Sequence, residues 1–315
     1  NFVYDGGNIT MQTEYSAKEM GKVLVNGNIE TKEPYKFVGD YKIISESLND
    51  ILRSSSVITK ILDADVNGDG KVSGTIYPFK LTGNVNLDVK KFNIFDKDVG
   101  FLSLKKIKIN SPISMTTKGL TLSKANLLIE ESPFIANTFI GFKDSMDISF
   151  VSNNPSSLPV LFFDKKIEFK GESSGQIAGK YSNLKIQVDA LFNDVKIDDI
   201  YLKSLSGIML YQDGIFKSDK MEVKKENSTL VVKGVFNLNG YTDLSLNIAN
   251  LESKIFKKYL PYMIPEISSR INGSATIKGG FGEQDIKLNL YLDNTFINNF
   301  EIPTLKISGN ITKFN

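Results

Sequence analysis

Cysteine, histidine and tryptophan are absent from this chain of 315 residues. Without cysteine there are no disulfide bonds, thiolate metal sites or thiol nucleophiles. Without histidine the chain lacks the commonest general base and the commonest metal ligand. These absences argue against most classes of enzyme. We therefore predict a protein that is not an enzyme and that uses no cofactor or metal ion.

Arginine is almost absent as well, since Arg53 and Arg270 are the only two. The remaining positive charge comes from lysine, and the net charge is only +2. Proteins that bind bases and phosphates rely on the bidentate guanidinium group of arginine. The composition therefore disfavours a nucleic-acid partner.

Long hydrophobic runs are also missing. The densest run, Val160 to Phe163, is far too short to cross a bilayer. No charged-then-apolar leader follows Asn1. We therefore expect this chain to be an internal fragment of a longer protein, with any membrane anchor outside it.

The pattern that dominates the chain is strict alternation of apolar and polar residues, which predicts half-buried β-strands. Each alternating run places its apolar side chains on one face and its polar side chains on the other. An open sheet of this kind would offer an aliphatic groove. The predicted lining residues are Leu81, Val85, Leu87, Leu184, Ile186, Val188, Leu230, Val232, Leu244, Leu246, Ile248, Ile286, Leu288, Leu290, Leu292, Leu305 and Ile307.

Short turn signals separate these runs and predict tight hairpins between sequential antiparallel strands. About twenty strands are expected, and a sheet that wide must curl, stack or close. The signals are Asn26-Gly27, Asn67-Gly68, Asp69-Gly70, Asp213-Gly214, Asn239-Gly240 and Asn272-Gly273.

Three segments are predicted to be short amphipathic helices. Apolar residues recur at three- and four-residue spacing over residues 45–62, and a second helix is expected over 251–260, ended by Pro261. Residues 131–139 are a shorter candidate. We expect these helices to cap or cover part of the apolar face.

A polar, proline-containing stretch from Ser152 to Pro159 is the best candidate for a boundary. It divides the chain into two predicted β-segments, 1–151 and 160–315. No sharp linker separates them, so they are expected to form one continuous elongated structure.

Residues Asp65 to Ile76 resemble the start of a calcium-binding loop, with oxygen ligands at positions 1, 3 and 5 and glycine at position 6. Position 12 should be a bidentate acid, but it is Ile76. The segment is therefore better interpreted as a hairpin turn.

An aliphatic-x-Gly step recurs at intervals of about 100 residues, at Val72-Ser73-Gly74, Ile177-Ala178-Gly179 and Ile277-Lys278-Gly279. This period exceeds that of common solenoid repeats, so each copy must contain several strands. Repetition of this kind points to a long wall or trough more than to a single pocket.

The order of phrases around this step resembles the AsmA-like family, and most of all its TamB-type members. The resemblance rests on "YLPYMIPEISSRINGSATIKGG" (259–280), followed by "IKLNLYL" (286–292) and "LKISGNI" (305–311). Two further copies are "FKGESSGQIAGKYSNLKIQVDA…LKSLSG" (169–207) and "VNGDGKVSGTIYPFKLTGNVNL" (66–87).

The resemblance implies a mainly β protein whose long curved antiparallel sheet forms an open hydrophobic groove, the repeating β-groove architecture. It implies a place in the periplasm, with anchoring to the inner membrane by a segment outside this chain. The implied function is phospholipid transport between membranes, in support of outer-membrane biogenesis. The implied partners are phospholipid acyl chains and an outer-membrane barrel of the TamA or BamA type.

Two other functions fit a β-rich chain of this length. One is a scaffold or chaperone for translocation and assembly of outer-membrane proteins, in which exposed strand edges template incoming strands. The other is an extracellular β-solenoid adhesin, which requires parallel coils and is disfavoured by the hairpin signals.

Overall fold

The computed structural model describes residues 1–17, 21–45, 62–96, 99–162, 165–180, 182–237, 240–253, 267–280, 283–297 and 300–312. Within these ranges the chain forms nineteen β-strands and no α-helix. Every strand pairing recorded between them is antiparallel. The prediction of a mainly antiparallel β fold is confirmed.

The strands are long, and several exceed fifteen residues. Their bounds are β1 Phe2–Asp5, β2 Asn8–Ala17, β3 Gly21–Glu30, β4 Lys36–Ser45, β5 Leu62–Thr75, β6 Lys80–Asp96, β7 Val99–Thr116, β8 Gly119–Ile129, β9 Ser132–Gly141, β10 Ser145–Phe162, β11 Lys165–Lys180, β12 Asn183–Ile197, β13 Ile200–Gln212, β14 Ile215–Lys225, β15 Ser228–Asn237, β16 Tyr241–Glu252, β17 Ile267–Gly280, β18 Glu283–Ile297 and β19 Phe300–Thr312.

The chain divides into two compact units. Unit 1 comprises Asn1–Ile186 with Lys196–Asp198, and unit 2 comprises Gln187–Val195 with Asp199–Asn315. Strand β12 contributes residues to both. The polar stretch 152–159 lies within strand β10.

Unit 1 is a meander in which β1 to β11 pair in sequence order. The short hairpin of β8 and β9 lies between the longer strands β7 and β10. Beyond that hairpin, β10 pairs directly with β7, where Leu161 lies opposite Ser103. The best-buried side chains of the unit include Ser132 on the hairpin and Asn154 and Leu158 on β10, so part of its core lies near this junction.

Unit 2 is a second meander, from β13 to β19. A β-bulge interrupts the pairing of β16 with β17 between Ile248 and Leu251. The bulged residue Asn250 has a φ of 54°, and its backbone N–H donates to Oδ1 of Asn272 at 2.8 Å. The extra residue returns Leu251 to the face that carries Ile248.

Several predicted hairpin turns are wrong because their Asn-Gly and Asp-Gly pairs lie inside strands. Asn26-Gly27 is in β3, Asn67-Gly68 and Asp69-Gly70 are in β5, and Asn272-Gly273 is in β17. The segment from Asp65 that resembles a calcium loop therefore continues through β5 and is not a hairpin. Asn272 serves instead as the side-chain acceptor for the bulge on β16.

Of the two remaining turn predictions, one is confirmed and the other falls partly outside the described residues. Asp213-Gly214 does form the turn between β13 and β14, with positive φ at both residues. Gly240 lies between β15 and β16, and its N–H donates to the carbonyl oxygen of Asn237 at 3.0 Å. Asn239 lies outside the described residues.

Glycines inside the strands make room for aromatic rings. A Cβ atom on Gly27 would lie 2.5 Å from the ring of Phe37, and one on Gly39 would lie 2.7 Å from the same ring. A Cβ atom on Gly70 would lie 2.5 Å from the hydroxyl oxygen of Tyr41. An aromatic side chain thus lies across the backbone of neighbouring strands, which requires glycine there.

The helix predicted over 131–139 is wrong, because this segment forms strand β9. Ser132 and Ala136 are buried while Pro133 and Ile135 are exposed, which is the two-residue period of a strand. The predicted helix 45–62 falls almost wholly outside the described residues. So does most of 251–260, of which Leu251 and Glu252 end strand β16. Among the described residues there is no helical segment with the length and apolarity to cross a membrane.

The glycines of the repeated step share one structural position. Gly74, Gly179 and Gly279 are each the penultimate residue of a strand, in β5, β11 and β17, six strands apart. Their φ angles of 158°, 128° and 127° are positive. A Cβ atom on Gly279 would lie 2.4 Å from the carbonyl oxygen of Glu283 on the neighbouring strand. The repeat therefore marks strand ends that only glycine fits.

Replacement of Gly279 by alanine is expected to lower the free energy of unfolding by about 1–3 kcal/mol, because positive φ and backbone overlap both add strain. Gly309→Ala is the matched control in β19, because nothing lies within 4 Å of its added Cβ atom. Urea unfolding of both variants measures the difference. Equal stability of the two variants would contradict this account of the repeat.

Candidate functional site

One face of the unit 2 sheet from β13 to β19 is lined by uncharged, mostly aliphatic residues. Residues directly opposite one another on antiparallel strands point to the same face, so the strand register defines this surface. We call it the unit 2 apolar face. Two of its rows are Leu205, Val223, Leu230, Ile248, Gly273, Leu290, Ile307 and Gly207, Met221, Val232, Leu246, Ala275, Leu288, Gly309.

The predicted lining residues of this unit are brought together on that face. A third row contains Leu244, Ile277, Ile286 and Ile311, and a fourth contains Leu251, Ile271, Leu292 and Leu305. No charged side chain interrupts these four rows. The structure thus places eleven of the predicted residues on one surface, namely Leu230, Val232, Leu244, Leu246, Ile248, Ile286, Leu288, Leu290, Leu292, Leu305 and Ile307.

Most side chains of the unit 2 apolar face are only partly buried. Ile271, Ala275 and Leu292 are the well-buried members of these rows, whereas Ile307 is 39% exposed. Leu246, Leu288 and their neighbours are intermediate. The interior of a closed sandwich would bury nearly all of them. This face therefore retains aliphatic surface that another apolar group can cover.

The opposite face of unit 2 carries the charges. Lys278 Nζ lies 3.2 Å from a carboxylate oxygen of Asp243 on the adjacent strand, and this hydrogen bond raises the pKa of the lysine. Lys224 hydrogen bonds to Glu222 and lowers the pKa of that carboxyl group. Such solvent-exposed pairs add little stability. Their effect is to keep this face hydrated.

The unit 2 apolar face also contains residues that the sequence analysis did not predict. Met221 and Val223 on β14, and Ile271, Ala275 and Ile277 on β17, belong to the same apolar rows. Their spacing of two residues is the signal that identifies the other members. The small side chain of Ala275 and the glycine at 273 obscured this period on β17.

Three predicted residues of unit 1 share a face of β6. Leu81, Val85 and Leu87 lie opposite Met115, Ser111 and Ile109 of β7. On the other side their partners on β5 are Gly74, Gly70 and Gly68. Val85 is 5% exposed and Ser111 is 1% exposed, so this part of the face is more tightly packed than in unit 2.

The remaining predicted residues lie on strand β12. Leu184, Ile186 and Val188 are partly buried and alternate with exposed Lys185 and Gln187, so the three share one face of that strand. Leu184 and Ile186 belong to unit 1, and Val188 belongs to unit 2.

A shallow depression of about 960 Å³ crosses β4 to β9 of unit 1. It is lined by three consecutive residues from each strand, such as Asn86, Leu87 and Asp88 on β6. The middle residues of these triplets lie opposite one another in a single row, namely Ile43, Gly68, Leu87, Ile109, Leu127 and Phe134. This row lies on the face of β6 that carries Leu81 and Val85, and Leu87 is the predicted groove residue that lines the depression.

In the part of the chain that the structure describes, no group of three or more acidic residues is arranged to hold a metal ion.

Comparison of the chain with family models, with curated proteins and with solved structures yields no match. The resemblance to the AsmA-like family therefore remains a hypothesis that rests on the sequence phrases.

Tyr41 on β4 is a partly buried ionisable group of unit 1. Its hydroxyl donates to the backbone oxygen of Asn84 at 3.1 Å. Burial, and to a smaller extent the negative charge of Asp69, raises the pKa of Tyr41 from 10.0 to about 12. Removing the phenolic proton would place a second negative charge near Asp69.

The pKa of Tyr41 predicts a loss of stability at alkaline pH. The folded state holds the phenolic proton more tightly than the unfolded chain, so this contribution is complete below pH 10 and is lost as pH rises through about 12. Tyr41→Phe should be less stable at neutral pH by about 1 kcal/mol, through loss of the hydrogen bond. It should also show a shallower decline above pH 10. Urea unfolding across this pH range tests the prediction, and parallel declines would contradict it.

Proposed function

We propose that this protein binds the acyl chains of phospholipids along its apolar sheet face and conducts them between the membranes of a Gram-negative-type envelope. In this role the head groups remain in water while the hydrocarbon chains cover aliphatic side chains. Lipid carried in this way would support outer-membrane biogenesis. The role needs a binding surface and no catalytic residue.

The observation that carries the proposal is that two rows of apolar residues cross all seven strands from β13 to β19. The row Val232, Leu246, Ala275, Leu288 crosses four neighbouring strands without a polar side chain. Adjacent strands lie about 4.8 Å apart, so seven strands offer apolar surface over roughly 30 Å. That length is comparable to the hydrocarbon thickness of a bilayer.

Hydrophobic burial supplies the driving force. Covering apolar surface contributes about 25 cal/mol for each Å² removed from water, or about 0.8 kcal/mol for each methylene group. The partly exposed side chains of the unit 2 apolar face and the methylene groups of a bound lipid both contribute. Aliphatic side chains give no directional contacts, so the surface suits acyl chains of many lipids.

The cellular setting of the proposal comes from the resemblance to the AsmA-like family. The resemblance implies a periplasmic protein, anchored to the inner membrane through a segment outside this chain. It also suggests an outer-membrane barrel of the TamA or BamA type as partner. The antiparallel pairing of the described strands argues against the parallel coils of a β-solenoid adhesin.

The lipid proposal predicts that paired arginines on one apolar row abolish lipid binding. Leu246 and Leu288 both lie beside Ala275, and L246R/L288R places two charges where acyl chains are proposed to lie. We expect at least a tenfold loss of bound phospholipid, since a desolvated charge without a partner costs several kcal/mol. Native mass spectrometry of the purified chain measures the bound lipid.

The matched control is N247R/N289R. These two asparagines lie beside Ser274 in the same geometry, but on the opposite face. The control should retain its lipid. Equal lipid loss in both double mutants, or absence of copurifying lipid from the unmodified protein, would refute the proposal.

A second candidate function is a scaffold for outer-membrane protein assembly, which the edge of β19 favours. This strand pairs with β18 on one side, and its other edge has no strand partner among the described residues. Its backbone N–H and C=O groups can add a further strand from an incoming chain.

Photo-crosslinkers placed separately at Ser308 of β19 and at Leu246 of β16 distinguish the two functions. The scaffold function predicts crosslinks to barrel precursors from Ser308 and no lipid crosslinks from Leu246. The lipid function predicts the reverse. The measurement is mass spectrometry of the crosslinked products after exposure to both ligands.

A further inference from the structure

Three neighbouring hairpin turns at one end of the unit 1 strands combine exposed aromatic residues with lysine. They are residues 76–79 between β5 and β6, together with Lys80 at the start of β6, residues 117–118 between β7 and β8, and residues 142–144 between β9 and β10. We call them together the basic aromatic rim. The ends of β6 and β7 join the first two turns, where Lys80 lies opposite Thr116. The N–H of Phe142 donates to the carbonyl oxygen of Lys118 at 3.1 Å and joins the last two.

The first of these turns is unusually apolar. Hairpin turns are normally built from glycine, asparagine, aspartate and serine. Here the four turn residues are Ile76, Tyr77, Pro78 and Phe79. Tyr77 is 70% exposed and Phe142 on the third turn is 51% exposed. Two aromatic rings therefore project into solvent from this end of unit 1 without packing into its core.

Positive charge surrounds these rings. The ammonium groups of Lys80, Lys118 and Lys143 make no ion pair with the described residues. Asp144, the one acid of the rim, lies 4.0 Å from Lys180. The turn between β8 and β9, at the other end of the strands, carries Glu130 and Glu131 instead. The two ends of this hairpin therefore differ in charge.

Together, the exposed aromatic rings and the lysines around them suit binding to a membrane that contains anionic phospholipid. Aromatic rings, tyrosine in particular, favour the boundary between head groups and acyl chains. Lysines beside them are attracted by the negative surface potential of such a membrane. We propose that the basic aromatic rim docks unit 1 onto an anionic bilayer, with Tyr77 and Phe142 entering the interface. This inference concerns a different surface from the unit 2 apolar face and goes beyond the proposed function.

Vesicle flotation tests the electrostatic part of the proposal. The full chain should float with vesicles of phosphatidylcholine and phosphatidylglycerol, and should float weakly with phosphatidylcholine alone. K80Q/K118Q/K143Q is expected to lose about 100-fold in affinity, or about fivefold for each lysine. The matched control K42Q/K71Q/K108Q removes the same charge from exposed positions within β4, β5 and β7, and should bind nearly as tightly as the unmodified protein. An equal loss in both triple mutants would overturn the proposal.

The absence of tryptophan from the chain gives a test of insertion. Tyr77→Trp places a single fluorophore on the rim, and Tyr15→Trp places one at a 53% exposed position on β2 as the control. Anionic vesicles should shift the emission of the rim tryptophan to the blue and leave the control unchanged. Equal shifts, or a shift only with an acidic protein in place of vesicles, would refute membrane docking. Because lipid copurification should survive in the rim variants, failure here is separable from failure of the lipid proposal.

Discussion

Cross-strand register is the constraint on which the rest of this structure depends. Side chains alternate between faces with a period of two, so a slip of one residue would move every aliphatic side chain of a strand to the hydrated face. Leu246, Ala275 and Leu288 form one row only because three strands keep their alignment. Where a strand gains a residue, a bulge restores the pattern. Asn250 and its hydrogen bond to Asn272 do so on β16.

Glycine residues impose a second constraint, because some positions in the strands leave no room for a side chain. At Gly279 a positive φ and the nearby carbonyl of Glu283 exclude other residues at this end of β17. At Gly27 on β3 and Gly39 on β4 the absence of a side chain leaves room for the ring of Phe37. These positions give the ring a flat surface. The proposed binding surface therefore depends on the backbone as much as on its aliphatic side chains.

Alternation in the sequence predicted the strands well, because each face of a strand meets a different environment. The run from Leu184 to Val188 forms part of β12 and keeps its three apolar residues on one face. The same rule fits residues 132–136 of β9, where buried Ser132 and Ala136 alternate with exposed Pro133 and Ile135, and it contradicts the helix predicted over 131–139. The asparagine-glycine pairs failed for another reason. A turn and an interior strand position opposite an aromatic ring or a bulge both favour glycine, and local sequence does not separate them.

The sequence by itself determined the class of fold, the two faces of most strands, and the lack of histidine and cysteine chemistry, because these follow from composition and from a period of two. Tertiary structure decided which strands are neighbours, which residues form rows, and where glycine is required. It also brought Tyr77, Lys118 and Phe142 to adjacent turns, although they are far apart in the chain. The physical reason is that alternation fixes the direction of a side chain, whereas its neighbours are fixed by hydrogen-bonded pairing between distant segments.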